Sequence, residues 1–156
     1  MILVREYSFD DFFNLKGLDI LIKEYANSSN NPLVHDVDLD YINVVKDAYK
    51  EIIKSSNVTF HAIVDKDTAK GICILIQSCN GNSDKTIIDI NAIYVYPEYR
   101  RLGCGKKMFE YIDVFAKEHG ASGIYFQVPV GTRLEKVLER TNYFNKQYVL
   151  YYRGIE

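Results

Sequence analysis

Between Arg100 and Lys107 the chain reads RRLGCGKK: two arginines, two glycines one residue apart and two lysines, at the start of an apolar stripe of helical period. Cys104, Met108, Phe109, Ile112, Phe115 and Ala116 make the stripe, and Gly120 ends it. The first amides of a helix have no internal acceptor, and the helix dipole adds about half a positive charge at the same end. Glycines there let the backbone approach an anion closely, while Arg100, Arg101, Lys106 and Lys107 add side-chain charge. This arrangement suits the holding of a diphosphate. A tight turn carrying solvated cations is the competing reading.

The elements that must position this turn follow from periodicity. MILVREY is β-prone, and Phe9, Phe12, Phe13, Leu15, Leu18, Leu21, Ile22 and Tyr25 fall at the spacing of one helix. Ala26 to Pro32 is a loop by composition. A second helix follows, with Asp38 or Asp40 as N-cap, burying Tyr41 or Ile42, Val45, Tyr49 and Ile52. From Val58 the period becomes that of strands: VTFHAIVD, GICILIQSC and TIIDINAIYVY, joined by turns at KDTAKG and NGNSDK. After the stripe come a strand, SGIYFQVPV, a short helix from Thr132 to Arg140, and a closing strand, QYVLYYRGI. The order β α α β β β α β α β predicts a single mixed α/β domain over residues 1–156.

Two nucleotide loops can be set against RRLGCGKK. A Walker A loop fails because Arg100 stands where its first glycine belongs and Lys107 where its Ser or Thr belongs. A dinucleotide fingerprint fails because its third glycine is Met108. What remains is R-x-x-G-x-G after a strand, preceded by Val95, Pro97, Arg100, Arg101 and Gly103 in a V-x-P-x-x-R-R-x-G pattern. This resembles the acyl-coenzyme A signature of the GNAT family of N-acetyltransferases, and the element order matches that family across essentially the whole chain.

The resemblance implies a mainly antiparallel central sheet with helices on both faces, and acetyl-CoA as cosubstrate without a metal. It implies direct attack by a primary amine of a small molecule or protein. It places the pyrophosphate against Arg100, Arg101, Leu102, Gly103, Cys104, Gly105 and Lys106, and the pantetheine arm between two splayed strand edges. By position these edges are Ile93, Tyr94 and Val95 on one side and Gln127 and Val128 on the other, with Pro129 helping to stop pairing. Thr132 is the nearest match to an asparagine that contacts the cofactor in relatives. A protonated amine must lose a proton before it attacks, and the family's carboxylate position falls on Asp89. Asp89 lies between Ile88 and Ile90, where partial burial would raise its pKa; a solvent-facing aspartate on an alternating strand is the other reading. His61 is a second candidate base.

One departure concerns the leaving thiolate. The tyrosine that protonates it in relatives falls on Leu138 or Glu139 in LEKVLERTNYF, leaving Tyr143 as a displaced substitute or a packing residue. The alternative function is therefore a non-catalytic acetyl-CoA-binding regulatory module.

Composition narrows the classes. With 47% hydrophobic and 26% charged residues among 156, the chain has the make-up of one domain with one core. A net charge of -2 and no basic run argue against nucleic acid. No apolar run approaches the ~20 residues of a membrane span, and MILVREYSFDDFF meets charges too early for a signal peptide. A soluble cytoplasmic protein is expected. Cys73, Cys79 and Cys104, without a CxxC pair, predict neither disulfide nor zinc site. His35, Asp36, Asp38 and Asp40 would attract a cationic amine or simply cap a helix, and exposed tyrosines in the final strand would permit a homodimer.

Overall fold

The alternating residues from Asn57 to Val95 build the centre of the molecule. In the computed structural model, which describes residues 2–28, 40–79, 84–141, 143–147 and 149–155, β2 (Asn57–Asp65), β3 (Thr68–Cys79) and β4 (Thr86–Val95) run antiparallel. Lys66 and Asp67 alone turn the first hairpin, both with positive φ, tighter than the six-residue KDTAKG suggested. Two left-handed residues match the right-handed twist of the strands they join. β1 (Val4–Tyr7) adds antiparallel to β2 and β5 (Gly123–Phe126) adds parallel to β4, giving the sheet order β1-β2-β3-β4-β5.

The helical stretch expected over Phe9 to Tyr25 is two helices, α1 (Phe9–Phe13) and α2 (Leu18–Ser28). The break is at Gly17, which adopts φ +82, and the Lys16 carbonyl accepts the Ala69 amide at 2.8 Å. A Cβ on Gly17 would stand 2.6 Å from Thr68 Cγ2, so the break is pinned against the start of β3. α3 (Tyr41–Ile52) begins at Asp40, one of the two expected caps, whose carbonyl accepts the Asn43 and Val44 amides. Asp38, and with it His35 and Asp36, lies outside the described residues.

Helices cover both faces. α1, α2 and α3 pack on one, where Phe12, Leu21, Tyr49, Phe60 and Ile72 are buried together. On the other, α5 (Cys104–Glu118) sets Cys104, Met108, Ile112 and Phe115 against Ile63, Cys73, Ile88 and Ile90. α5 ends as expected, with Gly120 at φ +68 and the Ala121 amide on the Ala116 carbonyl at 2.9 Å. α4 (Pro97–Arg100) is a single turn before α5, and α6 (Arg133–Thr141) follows β5.

The expected closing strand is not formed among the described residues after α6. Val149, Leu150 and Tyr151 are 61%, 80% and 88% exposed. β-prone side chains make a strand only where a neighbouring edge takes their backbone groups and a face buries them, and the described residues of this segment show neither. No helix of the described residues is long and apolar enough to cross a membrane.

Among the described residues, His61 is the one buried polar side chain of the core. Its Nδ1 lies 2.7 Å from the Tyr111 hydroxyl and its Nε2 2.8 Å from Thr59 Oγ1, on the α5 face. Burial, with His119 adding a smaller repulsion, pushes its pKa down to about 4. The folded protein therefore holds the imidazole neutral while the unfolded chain takes up a proton near pH 6.5. Stability from this site is complete above pH 6.5 and is lost as pH falls toward 4, by on the order of 2–3 kcal/mol. Urea unfolding should show a fall between pH 6.5 and 5 that is markedly smaller in His61→Gln; equal slopes would rule the assignment out.

Candidate functional site

β3 pairs with β4 from Gly71↔Val95 to Ile74↔Ala92 and again from Leu75↔Ile90 to Cys79↔Thr86, so Asn91 is one residue too many. This bulge reverses the alternation of β4. Ile88 and Ile90 pack in the α5 cluster, Ala92 and Tyr94 with the opposite one, and Ile93 and Val95 with α5 again. β5 pairs only with Ile87 to Ile90, ending at Phe126. β4 then runs on to Val95 without β5 beside it, while the chain at Gln127 and Val128 has left the strand; we call the unpaired edge of β4 beyond Ile90 the wedge.

Strand geometry decides which backbone groups line the wedge. The Tyr96 amide donates to the Lys70 carbonyl at 3.0 Å, so the backbone groups of alternate residues Tyr96 and Tyr94 point toward β3. Those of Ile93 and Val95 point the other way. Of the expected edge of Ile93, Tyr94 and Val95, the Tyr94 backbone thus serves β3. The Val95 carbonyl accepts Arg100 Nε at 2.6 Å, which leaves the Ile93 amide and carbonyl and the Val95 amide facing the wedge.

Beyond Val95 the chain turns through α4, whose first position is Pro97. The Leu102 amide returns to the Tyr99 carbonyl and the Gly103 amide to the Arg100 carbonyl, while the Tyr99 hydroxyl ties the turn to Asp65 at 2.7 Å. Gly103, at φ +79, is the N-cap of α5 and has no side chain to cap it. Lys107 is the first α5 residue whose amide finds a helical carbonyl, that of Gly103 at 3.1 Å. The amides of Cys104, Gly105 and Lys106 are those a helix leaves without an internal acceptor.

The side chains divide the work. Cys104 is buried in the core, so only its amide can serve a ligand, whereas Leu102 is 63% exposed. Arg101 and Lys107 are exposed, and Lys106 Nζ lies 3.8 Å from Glu110 Oε1. Arg100 braces Val95 and sets its guanidinium 5.0 Å from the centre of the Tyr94 ring. Thr132 caps α6, donating to the Pro129 carbonyl at 2.8 Å and accepting the Glu135 amide at 3.4 Å. The residues at the turn fit an anionic diphosphate: a Cβ on Gly103 or Gly105 meets nothing of the protein within 4 Å, and the exposed cations Arg101, Lys106 and Lys107 flank the glycines in sequence.

Asp89 projects from the face opposite Ile88 and Ile90, toward the α2 and α3 side. It is half-buried, and desolvation raises its pKa above the usual carboxylate value. His61 is enclosed on the other face behind Tyr111 and Thr59, out of reach of the wedge. Two contacts on the Asp89 face were not legible in the residue pattern. The buried Tyr49 donates its hydroxyl to the bulged Asn91, and Tyr94 donates to Glu24 at 3.2 Å. The interruption of apolar alternation at Asn91 was the available signal for the first. Tyr143 donates to Asp113 of α5 and packs beside Phe109 and Phe144, a packing role. Leu138 is half-buried, and Glu139 pairs with Lys146 on the surface at 3.4 Å.

The model of the acetyltransferase (GNAT) family matches residues 23–140, so the chain belongs to that family. No curated protein matches it. Solved structures share the fold at low identity. A ribosomal-protein-alanine N-acetyltransferase from Brucella melitensis biovar Abortus 2308 superposes with TM-score 0.72 at 13% identity, covering 99% of both chains. An aminoglycoside acetyltransferase from an uncultured soil metagenomic sample, in complex with sisomicin, gives 0.70 at 16%, covering 99% of this chain and 97% of that one. A GNAT family acetyltransferase from Staphylococcus aureus gives 0.67 at 16%, covering 99% and 98%.

The two glycines are held by different constraints, and stability measurements separate them. Gly103→Ala forces a side chain into a left-handed conformation and should cost about 1–2 kcal/mol. Gly105→Ala, at an ordinary φ with open space for its Cβ, should stabilise the ligand-free protein by roughly 0.5 kcal/mol. A loss of stability in Gly105→Ala would mean that the fold itself requires this glycine.

Proposed function

We propose that this protein transfers an acetyl group from acetyl-CoA to a primary amine of a small molecule or protein by direct attack. The wedge between β4 and β5, leading into the uncapped start of α5, carries the reading. A strand-like pantetheine arm fits an edge whose free groups are the Ile93 amide and carbonyl and the Val95 amide. The amides of Cys104, Gly105 and Lys106, with Arg101 and Lys107 beside them, suit the diphosphate.

When bound, acetyl-CoA supplies a thioester whose carbonyl is open to a nucleophile. The Val95 or Ile93 amide is placed to donate to that carbonyl oxygen as charge develops on it. Asp89, on the face where α2 and α3 approach β4, takes the proton from the incoming ammonium, directly or through water; its raised pKa brings it closer to working pH than an ordinary aspartate. Arg100 acts by bracing the end of β4 against the turn. With Tyr143 committed to Asp113, no described tyrosine from the α6 region serves as acid for the departing thiolate, and solvent protonates it; a thiol pKa near 8.5 makes this tolerable.

Thiol release from acetyl-CoA with a panel of primary amines tests the reading. Asp89→Asn should lower kcat by ~10²-fold or more and remove the acid limb of its pH profile, with coenzyme A binding retained. Gly105→Asp should weaken coenzyme A binding by ~10²-fold or more through like-charge repulsion. Tight binding without turnover on any amine would favour a regulatory acetyl-CoA-binding module instead, and unchanged binding in Gly105→Asp would contradict the diphosphate site.

A further inference from the structure

The sheet face opposite α5 carries a cleft of about 300 Å³ between α2, α3 and the strands. Its floor includes Ala92, which lies on β4 between Asp89 and Tyr94 and shares their face. Tyr25 comes from α2, and Tyr41, Val45 and Tyr49 come from α3. Anything seated there stands beside the face that carries the base.

Its chemistry is one-sided. Among the described lining residues there is no carboxylate, ammonium or guanidinium, and the polar atoms are mainly tyrosine hydroxyls. Burial raises the pKa of both Tyr25 and Tyr49, which keeps them neutral, and the Tyr49 hydroxyl is given to Asn91. A polycation would lose its hydration here without gaining a counter-charge. A volume near 300 Å³ lies at the small end of ligand sites, enough for one ring or a branched alkyl group and too small for an oligosaccharide.

Resting on the transferase reading above, we propose that the acceptor amine is carried on an apolar body, a single aryl or branched alkyl group. That body is held between Tyr25, Tyr41, Tyr49 and Ala92, with its nitrogen directed toward Asp89. Selectivity then comes from burial of the body rather than from attraction of multiple charges.

The test compares phenethylamine and 3-methylbutylamine with ethanolamine and spermidine as acceptors, and measures phenethylamine binding by calorimetry on protein saturated with coenzyme A. Burying a ring or branched chain should favour the first two by about 10- to 100-fold in kcat/KM, and phenethylamine should bind. Ala48→Trp, which fills the cleft from an exposed position on α3, should remove both effects, with coenzyme A affinity reporting an intact fold. Val44→Gln, a neutral polar change at the exposed rim, should weaken phenethylamine binding in the same direction. Preference for spermidine or ethanolamine, or an apolar preference that survives Ala48→Trp, would overturn the proposal. Phenethylamine binding that Ala48→Trp removes, without turnover of any amine, would keep the apolar site and sink the transferase reading.

Discussion

A single extra residue in β4 organises the rest of the molecule. Because Asn91 has no partner on β3, the strand changes phase there and parts from β5 one residue earlier, at Ile90 and Phe126. Backbone groups that a regular sheet would have used remain available at Ile93 and Val95. The bulge is held from outside the sheet, by the Tyr49 hydroxyl on the Asn91 side chain, so α3 shapes an edge that it does not itself line. Apolar residues on both sides fix the two phases: Ile88 and Ile90 before the bulge, Ile93 and Val95 after it, all against α5. A one-residue slip would turn these four side chains away from their core.

The turn after β4 separates what the fold requires from what a ligand would require. Gly103 is needed for its left-handed backbone, and Arg100 for its bond to Val95. Pro97 starts α4 and Tyr99 fastens it to Asp65. Gly105 does nothing comparable for the protein, since its backbone is ordinary and a Cβ would meet no atom. A residue that costs helix stability without serving the fold is explained by close approach of something else. Asp89 follows the same logic, a half-buried carboxylate whose ionisation the fold disfavours.

Much of this was legible in the sequence, for identifiable reasons. Hairpins from Val58 to Val95, the α5 stripe and its stop at Gly120 rest on local periodicity and local chemistry, and they hold. The split at Gly17 was hidden because Leu15 and Leu18 continue the helical spacing, while its cause, contact with Thr68 and Ala69, is distant in sequence. The closing strand failed because β-propensity at Val149 to Ile155 says nothing about a partner edge. At the site, the positions of Gly103, Gly105 and Asp89 could be read, but the division of backbone groups between Tyr94 and its neighbours needed register. Arg100 and Thr132 turned out to have local structural bonds that no motif records.

The central claim is that the wedge and the start of α5 form one continuous acyl-coenzyme A site. Amide chemical shifts of labelled protein titrated with coenzyme A test it most directly. The account predicts the largest changes at Cys104 to Lys106 and at Ile93 and Val95, with Tyr94, whose amide serves β3, and Gly103, whose amide serves the Arg100 carbonyl, moving less. Saturable binding whose shifts spare both segments, or no binding at all, would contradict it.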